Sequence, residues 1–412
     1  MPGAHYSLQL PGGLTLVAEQ IPSTRAAAFQ FLLPAGATTD PEGHEGAATV
    51  LEGLSYRGAG GRTSREFSDA LDSLGIQRGG GAELECATFG GALLADSLPE
   101  ALRLYADLIL RPTLPADQFA AEQALALQRL ERLEDNPEEK LFVRLRRAYF
   151  PGPYGRTALG TEAGLRALTP ELIRADHGRR YRPQGGILAV AGRFEWPALR
   201  ATVEELLQSW EGAPPEQPKP DCSERVRYQH IEQDTNQAQI GVQYPALPLE
   251  HPEYYVQRMA IGVLSGGMSA RLFTEVREKR GLCYTVMANV ITMRGAAAIR
   301  GYVATRPETA QEALDVLIAE MVRLADGVSD EELTRARRGL LAALVMQSEA
   351  TQARAGHLAR DQFLLKRVRP LDEIRAGVEA VTAEAIQDHL RRHPARDFTV
   401  VTLGPQPVEV KA

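Results

Sequence analysis

The sequence predicts an α+β protein built of two tandem homologous domains, each an antiparallel sheet with helices packed on one face. Three observations carry that expectation: a proline-rich break at the midpoint, a collinear series of matches between the two halves, and the same order of strands and helices in each. The 412 residues suffice for two domains. The break is Gly212-Ala213-Pro214-Pro215-Glu216-Gln217-Pro218-Lys219-Pro220. Four prolines within seven residues remove backbone donors and fix φ, so neither a helix nor a central strand can run through. Domains are therefore expected at 1–211 and 224–412, joined by a linker at 212–223.

The halves match in series. Gly60-Gly61, Arg65, Phe67 and Gly75 recur as Gly266-Gly267, Arg271, Phe273 and Gly281, 206 positions later. Glu100-Ala101-Leu102 recurs as Glu312-Ala313-Leu314, 212 later, and Ala167, Thr169, Glu171 and Ile173 recur as Ala380, Thr382, Glu384 and Ile386, 213 later. An offset that grows in small steps is what loop insertions in a duplicated domain produce.

Period-two apolar alternation predicts strands at 14–18 and 27–33 in the first half and at 239–243 and 297–303 in the second. Helical spacing predicts helices at 46–55, 64–74, 98–110 and 117–133, then at 252–264, 269–279, 307–325 and 330–347. Ser64 and Asp330 stand where N-caps belong, and Pro99 and Pro307 suit a first helical turn. A late strand, 186–191 or 398–403, closes each half.

Composition narrows the function. Apolar residues are 44% and charged residues 24% of the chain, which excludes disordered, collagenous and coiled-coil classes. No run of apolar residues is long enough to span a bilayer, and the N-terminal Met1-Pro2-Gly3-Ala4-His5 has neither a secretory nor a transit pattern. A net charge of −7 argues against nucleic acid as the main partner. Cys86, Cys222 and Cys283 are too few and too scattered for a disulfide framework or zinc ribbon, and a cytoplasmic location is expected. Only five of the 46 basic residues are lysines; such a bias locates no site by itself.

The run Ser265-Gly266-Gly267-Met268-Ser269-Ala270-Arg271-Leu272-Phe273-Thr274-Glu275-Val276-Arg277-Glu278-Lys279-Arg280-Gly281-Leu282-Cys283-Tyr284 resembles the signature of the C-terminal half of the pitrilysin/insulinase family, the inverted-motif zinc peptidases that include mitochondrial processing peptidase. The half-length duplication, Val381-Thr382-Ala383-Glu384 and the closing Leu403-Gly404-Pro405 extend the resemblance over nearly the whole chain. It implies that each half is an α/β roll and that two such units form a chamber around a peptide.

The family's zinc motif is H-x-x-E-H on the first helix, with a third carboxylate ligand farther along. Two histidines at i and i+4 share one helix face, and the glutamate between them polarises the metal-bound water. Here the matching stretch is Gly46-Ala47-Ala48-Thr49-Val50-Leu51-Glu52-Gly53-Leu54. Thr49 stands for the first histidine, Glu52 for the general base and Gly53 for the second histidine. Farther on, Glu122 matches a supporting glutamate, and Arg129, within one position, matches the carboxylate ligand. All three ligands are absent. Glu52 is then a relic of the general base, read as a helix-face carboxylate near an arginine, and this chain is expected to hold no metal and no other cofactor.

The other half of the family's chemistry is retained. Arg277 and Tyr284 match an Arg/Tyr pair that, by the resemblance, completes the active site opposite the zinc: Arg277 holds a substrate carbonyl and Tyr284 donates to the tetrahedral oxyanion. A guanidinium and a phenol are both donors suited to developing negative charge. Taken outside the signature, Arg277 is one charge in Arg277-Glu278-Lys279-Arg280 and Tyr284 a strand residue.

Other features carry less. His389 and His393 have metal-ligand spacing but lie on an arginine-rich terminal helix with no third ligand in view, and read as a solvated face. The glycine clusters 58–61 and 79–81 lack phosphate-loop context and read as loop hinges. Cys283 reads as packing.

The expected function is a zinc-less subunit of a two-component peptidase, inactive alone, acting on extended peptides with a zinc-bearing homologous subunit as partner in a heterodimer, or as a homodimer. Zinc is expected in the partner. One alternative is a catalytically silent peptide-binding or scaffold protein of the same fold; another is an active metalloendopeptidase with a displaced metal site built from His44, Glu45 and Glu52.

Overall fold

A computed structural model describes residues 4–410. Met1 to Gly3 of the N-terminal segment, and Lys411 and Ala412, lie outside the described residues. In chain order the strands are β1 (Ala4–Gln9), β2 (Thr15–Gln20), β3 (Ala26–Leu33), β4 (Gln77–Ala82), β5 (Ala87–Leu94), β6 (Ile187–Gly192), β7 (Tyr228–Glu232), β8 (Ala238–Ala246), β9 (Cys283–Met293), β10 (Ala296–Thr305) and β11 (Thr399–Gly404). The helices are α1 (Ala47–Ser55), α2 (Ser64–Ser73), α3 (Leu98–Leu110), α4 (Ala116–Glu134), α5 (Pro137–Tyr149), α6 (Glu162–Ala167), α7 (Pro170–Arg180), α8 (Trp196–Leu207), α9 (Tyr254–Ser265), α10 (Ala310–Arg323), α11 (Asp330–Glu349), α12 (Thr351–Leu365), α13 (Leu371–Glu379) and α14 (Ala383–Arg392). None of these helices is long and apolar enough to cross a membrane.

The strands form two sheets, β1-β2-β6-β3-β5-β4 and β7-β11-β8-β10-β9. The duplication is written in their pairing. β2 runs parallel to β6, and β7 parallel to β11. Every other neighbouring pair is antiparallel. Stripped of β1, the two sheets have the same order and directions. The expected antiparallel sheets are thus mixed, because the closing strand of each half inserts between the first strand and the rest.

The expected division into contiguous domains needs correction. One compact unit comprises 1–132, 156–218 and 347–368; the other comprises 133–155, 219–346 and 369–412. The segment carrying α5 belongs with the second sheet, and that carrying α12 with the first. These helices occupy matching places in the two halves, after α4 and α11, so the exchange is reciprocal. It also corrects the expectation of helices on one face only.

In the first unit, one face of the sheet presents Phe29, Phe31 and Phe89 to Leu51 and Leu54 of α1 and Tyr105 of α3, all essentially buried. Phe29 and Tyr105 meet edge to face at 4.8 Å, a geometry that adds to area burial. The opposite face receives α12, whose Ala355, Leu358 and Ala359 are buried and whose Arg354 pairs with Glu19 of β2. In the second unit, Ile240, Val242, Ile299, Val303 and Val400 join the core with Met259 of α9 and Leu317 of α10. The other face packs Tyr302, Ala304, Val401 and Leu403 against Leu141, Leu145 and Ala148 of α5. Gly241 of β8 permits the close approach, since a Cβ there would lie 2.9 Å from Leu145. Burial on both faces explains why β6 and β11 are buried throughout rather than alternating.

Local signals shift by a residue or change type. Thr63, not Ser64, caps α2, in a capping box with Glu66. Ser329, not Asp330, accepts the N–H of Glu332 ahead of α11. Residues 79–81 are not a hinge but the middle of β4, the edge strand of the first sheet. The segment expected as a helix over 269–279 contains instead a π-helical turn, Phe273–Glu278.

Candidate functional site

In the first unit, the helix that would carry the zinc motif is anchored from below. Gly46 occupies its N-cap position at φ +107°, with no side chain to satisfy the free N–H groups of the first turn. Asp40 takes that role, accepting from the N–H of Gly46 at 2.7 Å and of Ala48 at 2.9 Å. Arg180 of α7, fully buried, pairs with Asp40 at 3.0 Å and Asp176 at 2.7 Å and donates to the carbonyls of Ala35 and Gly36.

On this helix Thr49 donates its hydroxyl to the carbonyl of Ala158. Gly53 faces the carboxylate of Glu122, which would lie 2.5 Å from a Cβ at that position. Glu122 is buried and held by Arg57, whose Nε donates to its Oε1 at 2.5 Å. Arg57, one turn beyond Gly53, is the residue that sequence reasoning missed. An arginine four positions past Gly53 was the available signal. Together these residues do not fit a zinc ion: a hydroxyl is committed to a carbonyl, a side chain is missing, and the supporting carboxylate is neutralised by a guanidinium.

Glu52 is half-buried between Arg129 and Glu122, with Tyr56, Tyr105 and Tyr181 close enough for its charge to act on their phenols. Burial pushes its carboxyl up to about 7; the charge of Glu122 pushes the same way and that of Arg129 opposes. It is the helix-face carboxylate near an arginine expected from the sequence, but burial outweighs the arginine's charge. The effect on stability has a definite sign. Between the ordinary carboxyl value and about 7 the folded chain holds a proton that the unfolded chain has lost, so stability falls as pH rises through that window. Glu52→Gln removes this contribution. Urea midpoints of the two proteins at about pH 5 and about pH 8 should diverge in favour of the variant at the higher pH; identical pH responses would contradict the assignment.

The displaced metal site is not assembled. The Nδ1 of His44 meets the carbonyl of Glu42 at 3.1 Å. Glu45 accepts from the N–H of Gly43 and pairs with Arg156 at 3.6 Å. Among the described residues, the only group of three potential ligands with mutually close donor atoms contains none of His44, Glu45 and Glu52.

In the second unit, the signature run forms a turn between α9 and β9. Arg271 pins it, pairing with Glu332 at 2.6 Å and donating to the carbonyl of Gly327 at 2.6 Å. Three cations follow. Lys279 and Arg280 both pair with Glu275. Arg277, on the π-helical turn, is held differently: its guanidinium lies 4.7 Å from the ring centres of both Phe273 and Tyr284 and donates to the carbonyl of Tyr284 at 2.8 Å. Such stacking fixes the planar fork while leaving other N–H groups free to donate. Tyr284, the second residue of the edge strand β9, is 76% exposed. A single turn thus brings Arg277 and Tyr284 together as donors. Cys283 next to them stays a thiol at neutral pH, its proton affinity pushed up to about 11 by burial.

The sequence pattern described as Insulinase (Peptidase family M16) matches residues 15–162, and that described as Peptidase M16 inactive domain matches 167–340. The chain belongs to the insulinase (M16) peptidase family. An uncharacterized zinc protease of Mycobacterium tuberculosis is 27% identical to this M16 chain over 409 residues, covering 96% of the chain and 92% of the relative. One of Bacillus subtilis is 23% identical over 400 residues, covering 95% and 96%. Among solved structures, a peptidase M16 inactive domain from Pseudomonas fluorescens superposes with TM-score 0.90 at 20% identity, covering 99% of both chains. A protease from Helicobacter pylori gives 0.88 at 18%, covering 98% of this chain and all of the other. At these identities the structures establish the M16 fold.

Proposed function

We propose that this chain is the zinc-less subunit of a two-component M16 peptidase, supplying Arg277 and Tyr284 to a peptide-cleaving site whose metal belongs to a homologous partner. The observation that supports this reading most strongly is the contrast between the two motifs. The ligand positions are filled by residues with other commitments, whereas the Arg/Tyr turn holds an exposed phenol and a stacked guanidinium. In this reading the Tyr284 hydroxyl donates to the scissile carbonyl oxygen as negative charge develops there, and Arg277 donates to a neighbouring carbonyl of the peptide. The substrate is an extended peptide that adds to a sheet edge.

The assembly is a heterodimer with the zinc-bearing homologue, with a homodimer as the form of the chain on its own, in the cytoplasm. The test is co-purification with a zinc-bearing M16 homologue encoded beside it, followed by peptidase assays. The chain alone should cleave no fluorogenic peptide in the presence of zinc, and the complex should do so faster than the homologue alone. A complex no faster than the homologue would leave the scaffold reading in its place.

A further inference from the structure

Of the two histidines set aside as a solvated face, His393 is exposed but His389 is not. His389 on the last turn of α14 is 2% exposed, and its ring centre lies 5.0 Å from that of His393, the residue that ends the helix. Both meet Glu253, which occupies the N-cap position of α9. Its Oε2 lies 2.8 Å from His389 Nδ1 and 3.9 Å from His393 Nε2, and the three donor atoms are all within 4.8 Å of one another.

We infer that Glu253, His389 and His393 form a binding site for a divalent transition-metal ion of the zinc type, tying the end of α14 to the start of α9. Two imidazoles and one carboxylate are a zinc-type ligand set that leaves a position for water. In a tetrahedral zinc site, bonds of about 2.0–2.1 Å place ligand atoms about 3.3 Å apart. The separations to Glu253 Oε2 straddle that value, so small side-chain rotations bring the set to a metal. The surroundings fix the carboxylate in place. Arg392 holds its other oxygen, Oε1, and the backbone N–H of Glu253 donates to His251 Nδ1 at 3.1 Å. Such outer contacts orient ligands in metal sites. Arg392 is half-exposed, so its charge is partly screened by solvent. The His251 ring stands 6.2 Å from that of His393 and closes another side. The site involves none of the degenerate motif and does not depend on the peptidase reading.

The test uses the untagged full chain, stripped with a chelator and titrated with zinc chloride by calorimetry. One equivalent should bind. His393→Ala, at a half-exposed position where the fold tolerates truncation, and Glu253→Gln should each weaken binding by about tenfold or more, while Glu52→Gln leaves it unchanged. Absence of stoichiometric binding overturns the inference. So does binding that neither His393→Ala nor Glu253→Gln weakens, or binding lost in Glu52→Gln.

Discussion

Replacing Tyr284 with phenylalanine should lower the turnover of the assembled peptidase by about 10²–10³-fold while leaving the chain as stable as before. The size follows from the role: a donor that strengthens only as the oxyanion forms acts on kcat and leaves KM nearly unchanged. The absence of a stability effect follows from the structure. The residue is 76% exposed, and its ring presents a face to Arg277 that the phenylalanine ring keeps. Arg277→Ala should also slow turnover, but with a rise in KM, because it removes both a carbonyl donor and the group that stacks on the Tyr284 ring. Steady-state kinetics of the complex with each variant separate these outcomes. Unchanged kcat in Tyr284→Phe would make the pair a relic.

The largest effect on stability is expected from Arg180→Ala. Arg180 is fully exchanged from water into protein: it pairs with Asp40 and Asp176, both buried, and donates to the carbonyls of Ala35 and Gly36. Breaking a buried pair by removing one partner leaves uncompensated charge and costs about 3–5 kcal/mol. Here it also loosens Asp40, which satisfies the first turn of α1. Arg166→Ala is the control, since Arg166 and Glu162 are both exposed on α6 and such pairs contribute about 0–1 kcal/mol. Urea denaturation should show a large loss for the first variant and little for the second. A loss below about 1 kcal/mol in Arg180→Ala would mean that the buried cluster is not what anchors the helix.

Much of the fold was legible because duplication repeats its own signals. The offsets between halves foretold two sheets, and the same order and directions of strands followed. What the sequence hid is the exchange of α5 and α12. Periodicity marks the apolar side of a helix but not which of two similar sheets it covers, and the small residues of α12, such as Ala355 and Ala359, give no partner away. The parallel pairing of each closing strand is likewise a property of topology rather than of local pattern. At the site, the placing of Thr49 and Gly53 at ligand positions came from the family resemblance. The arginine pairing of Glu122 and the raised proton affinity of Glu52 depend on which faces of α1 and α4 meet. His389 was misread for the same reason: i, i+4 spacing shows that two residues share a face, but the carboxylate they meet lies 136 positions earlier.

In the proposed assembly the chain contributes donors to a site whose metal lies elsewhere. The most direct test is the initial rate of peptide cleavage by a fixed amount of zinc-bearing homologue as this chain is added. The rate should rise and saturate at one chain per homologue, with the Tyr284→Phe chain binding equally well but saturating at a much lower rate. A rate that stays flat as the wild-type chain is added, or that rises equally with the Tyr284→Phe chain, would contradict it.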